Sequence, residues 1–400
     1  MKALRLENGL RVITQRRRTK SVAVEVMVKT GSNNETKRTG GLSHVLEHML
    51  FEGTKNRSAR TIANEIEKKG GEFNAYTSNE RTAFYISILK KHFDMALEVL
   101  ADIIKNPLFD EKALKKEKRV ILDEIKLVND QPRFYQWVFF SRTLFRKHQA
   151  KNPIYGTKES VRGVKKRDLV DYYNKYYVPN NMVVSVVGDI KNVMPKIKDA
   201  FIDLRTSPLP NGKEKKEPKN QYNRRMIRKK TMQSYLVLGY KTPKRSNKES
   251  YVLDVIRSVL GRGQSGTLFE EIRQKRGLAY EVGVNHEANA RYGFFAVYLS
   301  THKKNIDNCI DLIIREFNKL QEIGNRELKE AKDFLEGEYH LKNEDNTRMA
   351  DQLAFFELAG DSKMAANYVK SIKRITKNDV KRVAKKYLNK NYTLAIIEQG

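Results

Sequence analysis

The segment from His44 to His48 holds the residues whose types and spacing are best suited to chemistry. Two histidines stand four residues apart, and Glu47 comes immediately before the second. Apolar residues recur around them at helical spacing, which predicts a helix. With 3.6 residues per turn, the two imidazoles lie about 40° apart on one face, with Glu47 beside them. Neutral imidazole is the commonest metal ligand, so the pattern indicates a zinc site.

Such a site could activate water. Zinc with three protein ligands leaves its fourth position to a water molecule, whose pKa falls to about 7. A neighbouring carboxylate that is not a ligand, here Glu47, can then accept the proton. The alternative interpretation is an ordinary solvated helix face in a chain rich in lysine and glutamate. A catalytic site also requires a third ligand from elsewhere in the chain.

Two glutamates in the predicted helix 109–128 are candidates for that ligand. Glu117 and Glu124 are seven residues apart, so they lie two turns apart on one face. Either could complete the zinc site, and both could instead be plain surface residues. The predicted buried side of this helix consists of Val120, Ile121, Ile125 and Val128.

Length and composition predict a soluble globular protein of more than one domain. The chain has 400 residues, of which 40% are hydrophobic and 32% charged. No apolar run is long enough to span a bilayer, and the N-terminal segment alternates like a strand, unlike a signal peptide. A single cysteine, Cys309, excludes an intrachain disulfide framework. We expect it on the core-facing side of an amphipathic helix. We therefore expect a cytoplasmic protein.

The formal net charge of +30 leaves two interpretations open. It arises from 78 Lys and Arg against 48 Asp and Glu. Such a field could attract a polyanionic partner, or it could be a general property of the surface. The basic residues are spread along the chain, without an arginine-rich arm, zinc finger or aromatic RNA-binding signature. We expect no specific nucleic-acid partner and no membrane association.

The chain consists of two halves with similar sequence patterns, separated by a proline-bearing, charged linker at 206–225. The matching segments are 21–31 with 233–243, 70–89 with 277–300, 93–107 with 305–320, 109–128 with 325–342, and 182–190 with 392–398. This predicts the α+β class, with two homologous α/β-sandwich domains, 1–205 and 226–400, whose mainly antiparallel sheets are covered by helices. The helix that corresponds to the histidine segment, 250–261, lacks the motif, so one zinc ion per chain is expected.

Three motifs together resemble one family. GLSHVLEHMLFEGT, NAYTSNERTAFY and the glutamate helix are similar to the inverted-zincin metallopeptidases, which carry H-x-x-E-H and include pitrilysin, insulin-degrading enzyme and mitochondrial processing peptidase. The resemblance covers the whole chain. It implies that His44, His48 and Glu124 bind zinc, since Glu124 follows His48 by 76 residues, the family's usual separation. It also implies that Glu47 is the general base and that Glu117 orients the ligands.

The resemblance also gives roles to two further segments. Arg273 and Tyr280 follow a glycine-rich loop that is only weak evidence of phosphate binding. By themselves they could be a surface arginine and a strand tyrosine. The resemblance implies that they approach the zinc and stabilise the substrate carbonyl and its developing oxyanion. It further implies that Asn74, Ala75 and Tyr76 form an edge strand to which a peptide substrate adds as another strand.

The activity implied by the resemblance is that of a zinc metalloendopeptidase acting on unfolded peptides or small polypeptides. Larger members of the family fuse two such chains, so this shorter chain is expected to form a homodimer with a closed chamber. Arg273 and Tyr280 of one subunit would then complete the zinc site of the other. The alternative is a catalytically silent scaffold or core subunit of a larger complex, as in the family's cytochrome bc1 subunits. A heterodimer with a paralogue, the substrate and the cleavage preference stay open.

Overall fold

The structure, a computed structural model, describes residues 1–210 and 216–400 and contains two mixed sheets. The strands are β1 Lys2–Arg5, β2 Arg11–Arg16, β3 Ser21–Val28, β4 Glu72–Thr77, β5 Thr82–Leu89, β6 Met182–Gly188, β7 Asn223–Lys229, β8 Ser234–Thr242, β9 Ala279–Ala288, β10 Gly293–Thr301 and β11 Thr393–Gln399. The first sheet has the order β1-β2-β6-β3-β5-β4, and the second has the order β7-β11-β8-β10-β9. Within the described residues, only β2–β6 and β7–β11 pair in parallel. The predicted α+β class is confirmed.

Helices cover both sheets. They are α1 Leu42–Phe51, α2 Ala59–Glu67, α3 Phe93–Lys105, α4 Glu111–Asp130, α5 Pro132–Leu144, α6 Lys158–Gly163, α7 Lys166–Tyr176, α8 Val193–Phe201, α9 Glu249–Gly261, α10 Ile306–Lys319, α11 Asn325–Lys342, α12 Asn346–Ala359, α13 Lys363–Ala366, α14 Tyr368–Lys373 and α15 Lys377–Tyr387. The segments matched between the halves form corresponding helices and strands, as predicted. Cys309 is buried in α10, also as predicted.

The two compact units of the chain are not continuous in sequence. Segment Leu127–Lys151, with α5, belongs to the second unit, where α5 packs on β8 and β11. Segment Lys342–Ala365, with α12, belongs to the first unit, where α12 packs on β3 and β6. The pattern of apolar residues did not indicate either helix, because both are apolar around much of their circumference and lack a single stripe. The boundaries at 205 and 226 stay a prediction.

The core of the first unit determines which residues α1 presents on its other side. Five apolar residues of α1 are buried, namely Leu42, Val45, Leu46, Met49 and Leu50. They pack this helix among α3, α7 and β4. With 3.6 residues per turn, the two histidines and Glu47 fall on the side of the helix opposite to these five apolar residues. Burial of the apolar stripe thus orients the motif.

The buried side of α4 differs from the prediction at one position. Ile121 and Ile125 are buried as expected, and Val128 is half-buried. Val120, however, is 40% exposed, so its assignment to the core was wrong. The residue on the buried face one turn before Ile121 is Glu117, which a hydrophobicity pattern does not indicate. Position 120 lies about 100° around the helix from Ile121, which carries it off the buried stripe.

Glu25 is a buried acid on β3. It is fully buried, and neither carboxylate oxygen has a hydrogen-bond partner among the described residues. Its neighbours across the sheet are Ser185 and Tyr85. Burial raises the pKa of Glu25 well above its ordinary value, and the charge of Asp351 adds to this while Arg81 opposes it. Glu25 therefore keeps its proton in the folded protein over a pH range in which the unfolded chain ionises.

We expect Glu25→Gln to stabilise the first unit at alkaline pH. The folded pKa lies above the unfolded one, so the wild-type free energy of unfolding falls as pH rises above about 4.5. Glutamine has the same shape and cannot ionise, so the variant should gain about 1–3 kcal/mol over wild type at pH 8 and less at pH 5. Urea denaturation at both pH values measures this. An equal difference at the two pH values would contradict the prediction.

The predicted linker is only partly described, since its residues 211–215 lie outside the described residues. Within the second unit, Glu217 accepts hydrogen bonds of 2.7–2.8 Å from the backbone N–H groups of Arg146, Lys147 and His148. This carboxylate holds residue 217 against the turn that follows α5. Among the described residues, no helix is both long and apolar enough to cross a membrane.

Candidate metal centre

The start of α1 is held by backbone geometry and a buried carboxylate. Gly41 precedes the helix with a φ of +86°, and a Cβ atom there would lie 2.6 Å from the carbonyl oxygen of Tyr155. The carboxylate of Glu35 accepts hydrogen bonds of 2.7 Å from the N–H groups of Gly41 and Ser43. Burial raises the pKa of Glu35 to about 7, although these hydrogen bonds act against it. Glu35 thus satisfies two unpaired donors at the helix N-terminus.

His44 and His48 are neighbours on one side of α1. Their ring centroids are 4.7 Å apart, and the side chains are only 17% and 18% exposed. Burial, followed by the charge of His48, lowers the pKa of His44 to about 4. His44 is therefore neutral at physiological pH, which is the form of imidazole that binds metals.

Helix α4 brings a carboxylate to both rings. The Nε2 atoms of His44 and His48 each lie 3.8 Å from an oxygen of Glu124, whose side chain is 41% exposed. One ligand atom from each of the three residues lies within 4.8 Å of the others. Within residues 1–210 and 216–400, they form the only group of three or more histidine, cysteine or acidic residues that could hold a metal ion.

This donor set fits zinc. Zinc bonds of about 2.0–2.2 Å to nitrogen and oxygen in tetrahedral geometry place neighbouring ligand atoms roughly 3.4 Å apart. The 3.8 Å separations are slightly larger and are too long for hydrogen bonds. Two imidazoles and one carboxylate are also the ligands of a catalytic zinc site, which leaves its fourth position open.

Glu117 contacts His48 from the buried side of α4. One carboxylate oxygen of Glu117 lies 3.0 Å from Nδ1 of His48, and the other lies 3.2 Å from the ammonium of Lys116. Burial alone would raise the pKa of Glu117, but the hydrogen bonds with His48 and Lys116 outweigh it and hold that pKa below its ordinary value. An ionised Glu117 accepts the Nδ1 proton, which leaves Nε2 of His48 free to face Glu124.

We expect Glu117→Gln to weaken zinc binding without abolishing it. A neutral amide cannot hold the His48 tautomer as a carboxylate does, so zinc affinity should fall about 10- to 100-fold. Competition with a chromogenic chelator measures the affinity. Lys116→Gln, which removes the other partner of Glu117, should have a much smaller effect. Unchanged affinity in the Glu117→Gln variant would show that the contact does not orient the ligand.

Glu47 lies beside the three candidate ligands and has a different partner. Burial raises its pKa, and the hydrogen bond from Thr77 acts in the opposite sense. The Thr77 hydroxyl donates to Oε2 of Glu47 over 2.5 Å. Sequence reasoning missed Thr77, although strand alternation indicates it: Phe73, Ala75 and Thr77 share the side of β4 that faces α1. Thr77 thus holds one oxygen of Glu47 and leaves Oε1 available.

Strand β4, which carries the predicted substrate-binding residues, is an edge of the first sheet and pairs only with β5 among the described strands. Asn74 is exposed, and its side-chain oxygen accepts the N–H of Ala75 over 2.8 Å. Ala75 is half-buried against the core. The hydroxyl of Tyr76 donates to Asp351 of α12, so this side chain is engaged within the first unit.

Arg273 and Tyr280 lie in the second unit, at the end of a π-helical turn and at the start of β9. The guanidinium of Arg273 lies 5.1 Å from the ring centre of Tyr280 and 4.9 Å from that of Phe269. Tyr280 is 73% exposed, which is unusual for a large aromatic residue. The pair therefore presents a cation and a phenol together at the surface of its unit.

Sequence and structure comparisons agree with this geometry. Residues 11–158 match the insulinase model of peptidase family M16, and residues 163–335 match the model of the M16 inactive domain. A Bacillus subtilis protein named an uncharacterized zinc protease is 33% identical over 98% of this chain and 96% of its own length. A Streptomyces coelicolor protein of the same description is 29% identical, covering 98% of this chain and 88% of its own.

Solved structures show the same fold. A protease from Helicobacter pylori superposes with a TM-score of 0.94 at 24% identity, covering 99% of both chains. A peptidase M16 inactive domain from Pseudomonas fluorescens gives a TM-score of 0.91 at 19% identity, covering 100% of this chain and 98% of that one. Together with the two family matches, which span both halves, these likenesses lead to one conclusion. The chain belongs to the insulinase family of peptidases, family M16.

Proposed function

We propose that the protein is a zinc-dependent endopeptidase that hydrolyses unfolded peptides or small polypeptides. The observation that carries this proposal is the convergence of His44, His48 and Glu124 beside a Glu47 that is not a ligand. The relatives named zinc proteases support it. A catalytically silent scaffold does not require the three candidate ligands, the candidate base and the contact of Glu117 with His48 together.

The proposed mechanism assigns metal binding to three residues of the site and proton transfer to a fourth. His44, His48 and Glu124 would hold one zinc ion, which supplies a Lewis acid that polarises a carbonyl and lowers the pKa of water. Glu47 accepts the proton of the attacking water on Oε1 and returns it to the leaving amine. Burial supports this role, since it raises the pKa of Glu47 towards the working pH and makes the carboxylate a better proton acceptor.

The substrate is proposed to bind as an extended strand. The free edge of β4 offers backbone groups at alternate residues, and pairing with them needs no particular substrate sequence. The Ala75 N–H is held by the side-chain oxygen of Asn74 over 2.8 Å, so a substrate carbonyl would replace that oxygen as its acceptor. The hydroxyl of Tyr76 is engaged with Asp351, so this residue contributes to the edge through its place in the strand. Recognition through the backbone favours unfolded peptides with broad sequence preference.

We further propose a homodimer with composite sites, in which Arg273 and Tyr280 of one subunit donate hydrogen bonds to the substrate carbonyl in the other. The exposure of Tyr280 and its contact with Arg273 support this, because the pair is available to a substrate. Donors placed where the oxyanion develops are worth about 10²–10³ in kcat.

Zinc analysis with a peptide library tests the proposed activity. The purified protein should contain one zinc ion per chain and cleave members of a quenched fluorescent peptide library at internal bonds. A chelator should abolish cleavage, and added zinc should restore it. Zinc binding without cleavage of any library member would favour the silent scaffold, and the absence of zinc would refute the proposed site.

Mixed dimers test the composite site. Glu47→Gln and Arg273→Ala subunits should each be inactive alone. A verified heterodimer of the two should recover about half of the wild-type activity, because one of its two sites then holds both intact residues. As a control, a heterodimer of wild type with the Glu47→Gln/Arg273→Ala double variant should not reach this level, since each of its sites lacks one residue. No recovery in the first heterodimer would refute the proposal that each subunit completes the site of its partner.

A further inference from the structure

Helix α12 supports the edge strand β4 from the side opposite to α1. The strand has one strand neighbour, so its position depends on contacts at its two faces. On the α1 side, Phe73 stacks on Phe51 with ring centroids 4.4 Å apart, and Thr77 reaches Glu47. On the other side, Tyr76 reaches α12.

The contact between β4 and α12 is a half-buried polar cluster of three residues, Tyr76, Arg81 and Asp351. The hydroxyl of Tyr76 donates to Asp351 and accepts a hydrogen bond of 3.0 Å from Nε of Arg81. The guanidinium of Arg81 lies 4.6 Å from the ring centre of Phe355, one turn after Asp351 on the same helix. The phenol thus bridges a cation and an anion that form no direct ion pair, so loss of the hydroxyl leaves both charges with weaker partners.

Helix α12 is anchored to the sheet independently of β4. It packs on β3 and β6 in the middle of the first sheet. At its start, the amide of Asn346 donates to the hydroxyl of Thr19 over 2.9 Å and to the carbonyl of Ser21 over 3.1 Å. Just before it, Arg17 donates to the carbonyl of Asn343 over 2.6 Å. The helix therefore provides a fixed reference for the edge strand.

We propose that Arg81 and Asp351 are positioning residues that hold β4, through Tyr76, in the register needed for catalysis. Tyr76 and Thr77 are adjacent in β4, so a shift of the strand backbone at one residue also shifts the other. The cluster thereby controls both the hydrogen bond from Thr77 to Glu47 and the edge that receives the substrate. This proposal rests on the proposed peptidase function and adds two residues, Arg81 and Asp351, together with a role for the hydroxyl of Tyr76.

Two tyrosine variants test the proposal. Tyr76→Phe removes only the bridging hydroxyl, and we expect kcat/KM on a cleaved library peptide to fall about 10- to 100-fold, with changes in both kcat and KM. Zinc content should stay at the wild-type level. Tyr368→Phe is the matched control, since it removes a similar half-buried hydrogen bond, 3.1 Å long, from Tyr368 to Asp254 in the second unit. It should lower thermal stability comparably and leave both kinetic constants unchanged.

Three further variants separate positioning from other roles. Asp351→Leu, on a helix away from the substrate edge, should reproduce the kinetic loss of Tyr76→Phe, whereas Asp351→Asn, which keeps an acceptor, should recover most of it. Thr77→Val, which removes only the bond to Glu47, should lower kcat and leave KM unchanged. Hydrogen exchange at the β4 amides should accelerate in Tyr76→Phe and not in Tyr368→Phe.

The outcomes distinguish this proposal from the proposed function. A wild-type protein that cleaves no peptide would overturn the peptidase assignment and, with it, the positioning role. An active wild type whose kinetic constants are unchanged by Tyr76→Phe and Asp351→Leu would overturn the positioning role alone. Kinetic losses that the Tyr368→Phe control matches would show general destabilisation and would likewise overturn it.

Discussion

Replacing Glu47 with glutamine should lower kcat for peptide hydrolysis by about 10²–10⁴-fold, the usual contribution of a general base. The amide cannot accept the proton of the attacking water, whereas its shape is almost that of the carboxylate. Glutamine can still accept the hydrogen bond that Thr77 donates over 2.5 Å in the wild type. The helix and the three candidate ligands should therefore keep their positions, and zinc content should stay at one ion per chain.

Steady-state hydrolysis of a fluorescent peptide, together with zinc analysis of the same sample, measures both parts of this result. Glu67→Gln, at an exposed position in the last turn of α2, is the matched control and should behave as wild type. If Glu47→Gln hydrolysed peptides at the wild-type rate, Glu47 would not be the base. If it lost zinc as well, Glu47 would belong to the ligands instead.

The second large effect is expected for Glu124→Gln, which should lose zinc and, as a consequence, activity. Glu124 is the one anionic donor of the set, and its two oxygens face the Nε2 atoms of both histidines at 3.8 Å. A neutral amide oxygen is a weaker ligand for a divalent cation. We expect the loss of zinc affinity to exceed the 10- to 100-fold predicted for Glu117→Gln, because Glu117 acts only through His48.

Chelator competition across the three proteins should rank zinc affinity as wild type, then Glu117→Gln, then Glu124→Gln. Asp123→Asn changes the neighbouring residue on α4, which is 72% exposed and pairs with Lys126, and should leave affinity unchanged. Excess zinc should restore part of the activity to Glu117→Gln but little to Glu124→Gln. Reversal of the ranking would mean that Glu117 is the ligand, the alternative that residue spacing alone leaves open.

Much of the fold was predictable because its signals are local. Alternation identified the strands, a 3.6-residue apolar period identified α1, α3, α4 and α10, and the repetition of these elements identified the second half. The histidine motif was equally local, since one turn of helix places both imidazoles together. Helices α5 and α12 escaped this reasoning because helices that are apolar on several sides have no single stripe, and because each packs on the sheet of the other half.

Some contacts in and around the candidate site could be predicted from local sequence signals, and others could not. The pairing of His48 with Glu117 follows from a helix spacing and a family resemblance, although the burial of Glu117 does not. Glu35 and Asp351 had no signal that distinguished them from other acids in the chain. Glu35 becomes a helix cap, and Asp351 becomes the acceptor for a strand tyrosine, only after the chain has brought distant residues together.

The sequence by itself indicated the candidate metal donors and the candidate base, because residue type and helical spacing decide which atoms can bind zinc and accept a proton. The tertiary structure decided which glutamate faces both imidazoles, which one contacts Nδ1 of His48, and which side chains contact Glu47 and β4. The physical reason is the range of the interactions. The hydrogen bond from Tyr76 to Asp351 joins residues 275 positions apart, and it depends on packing that no local pattern encodes.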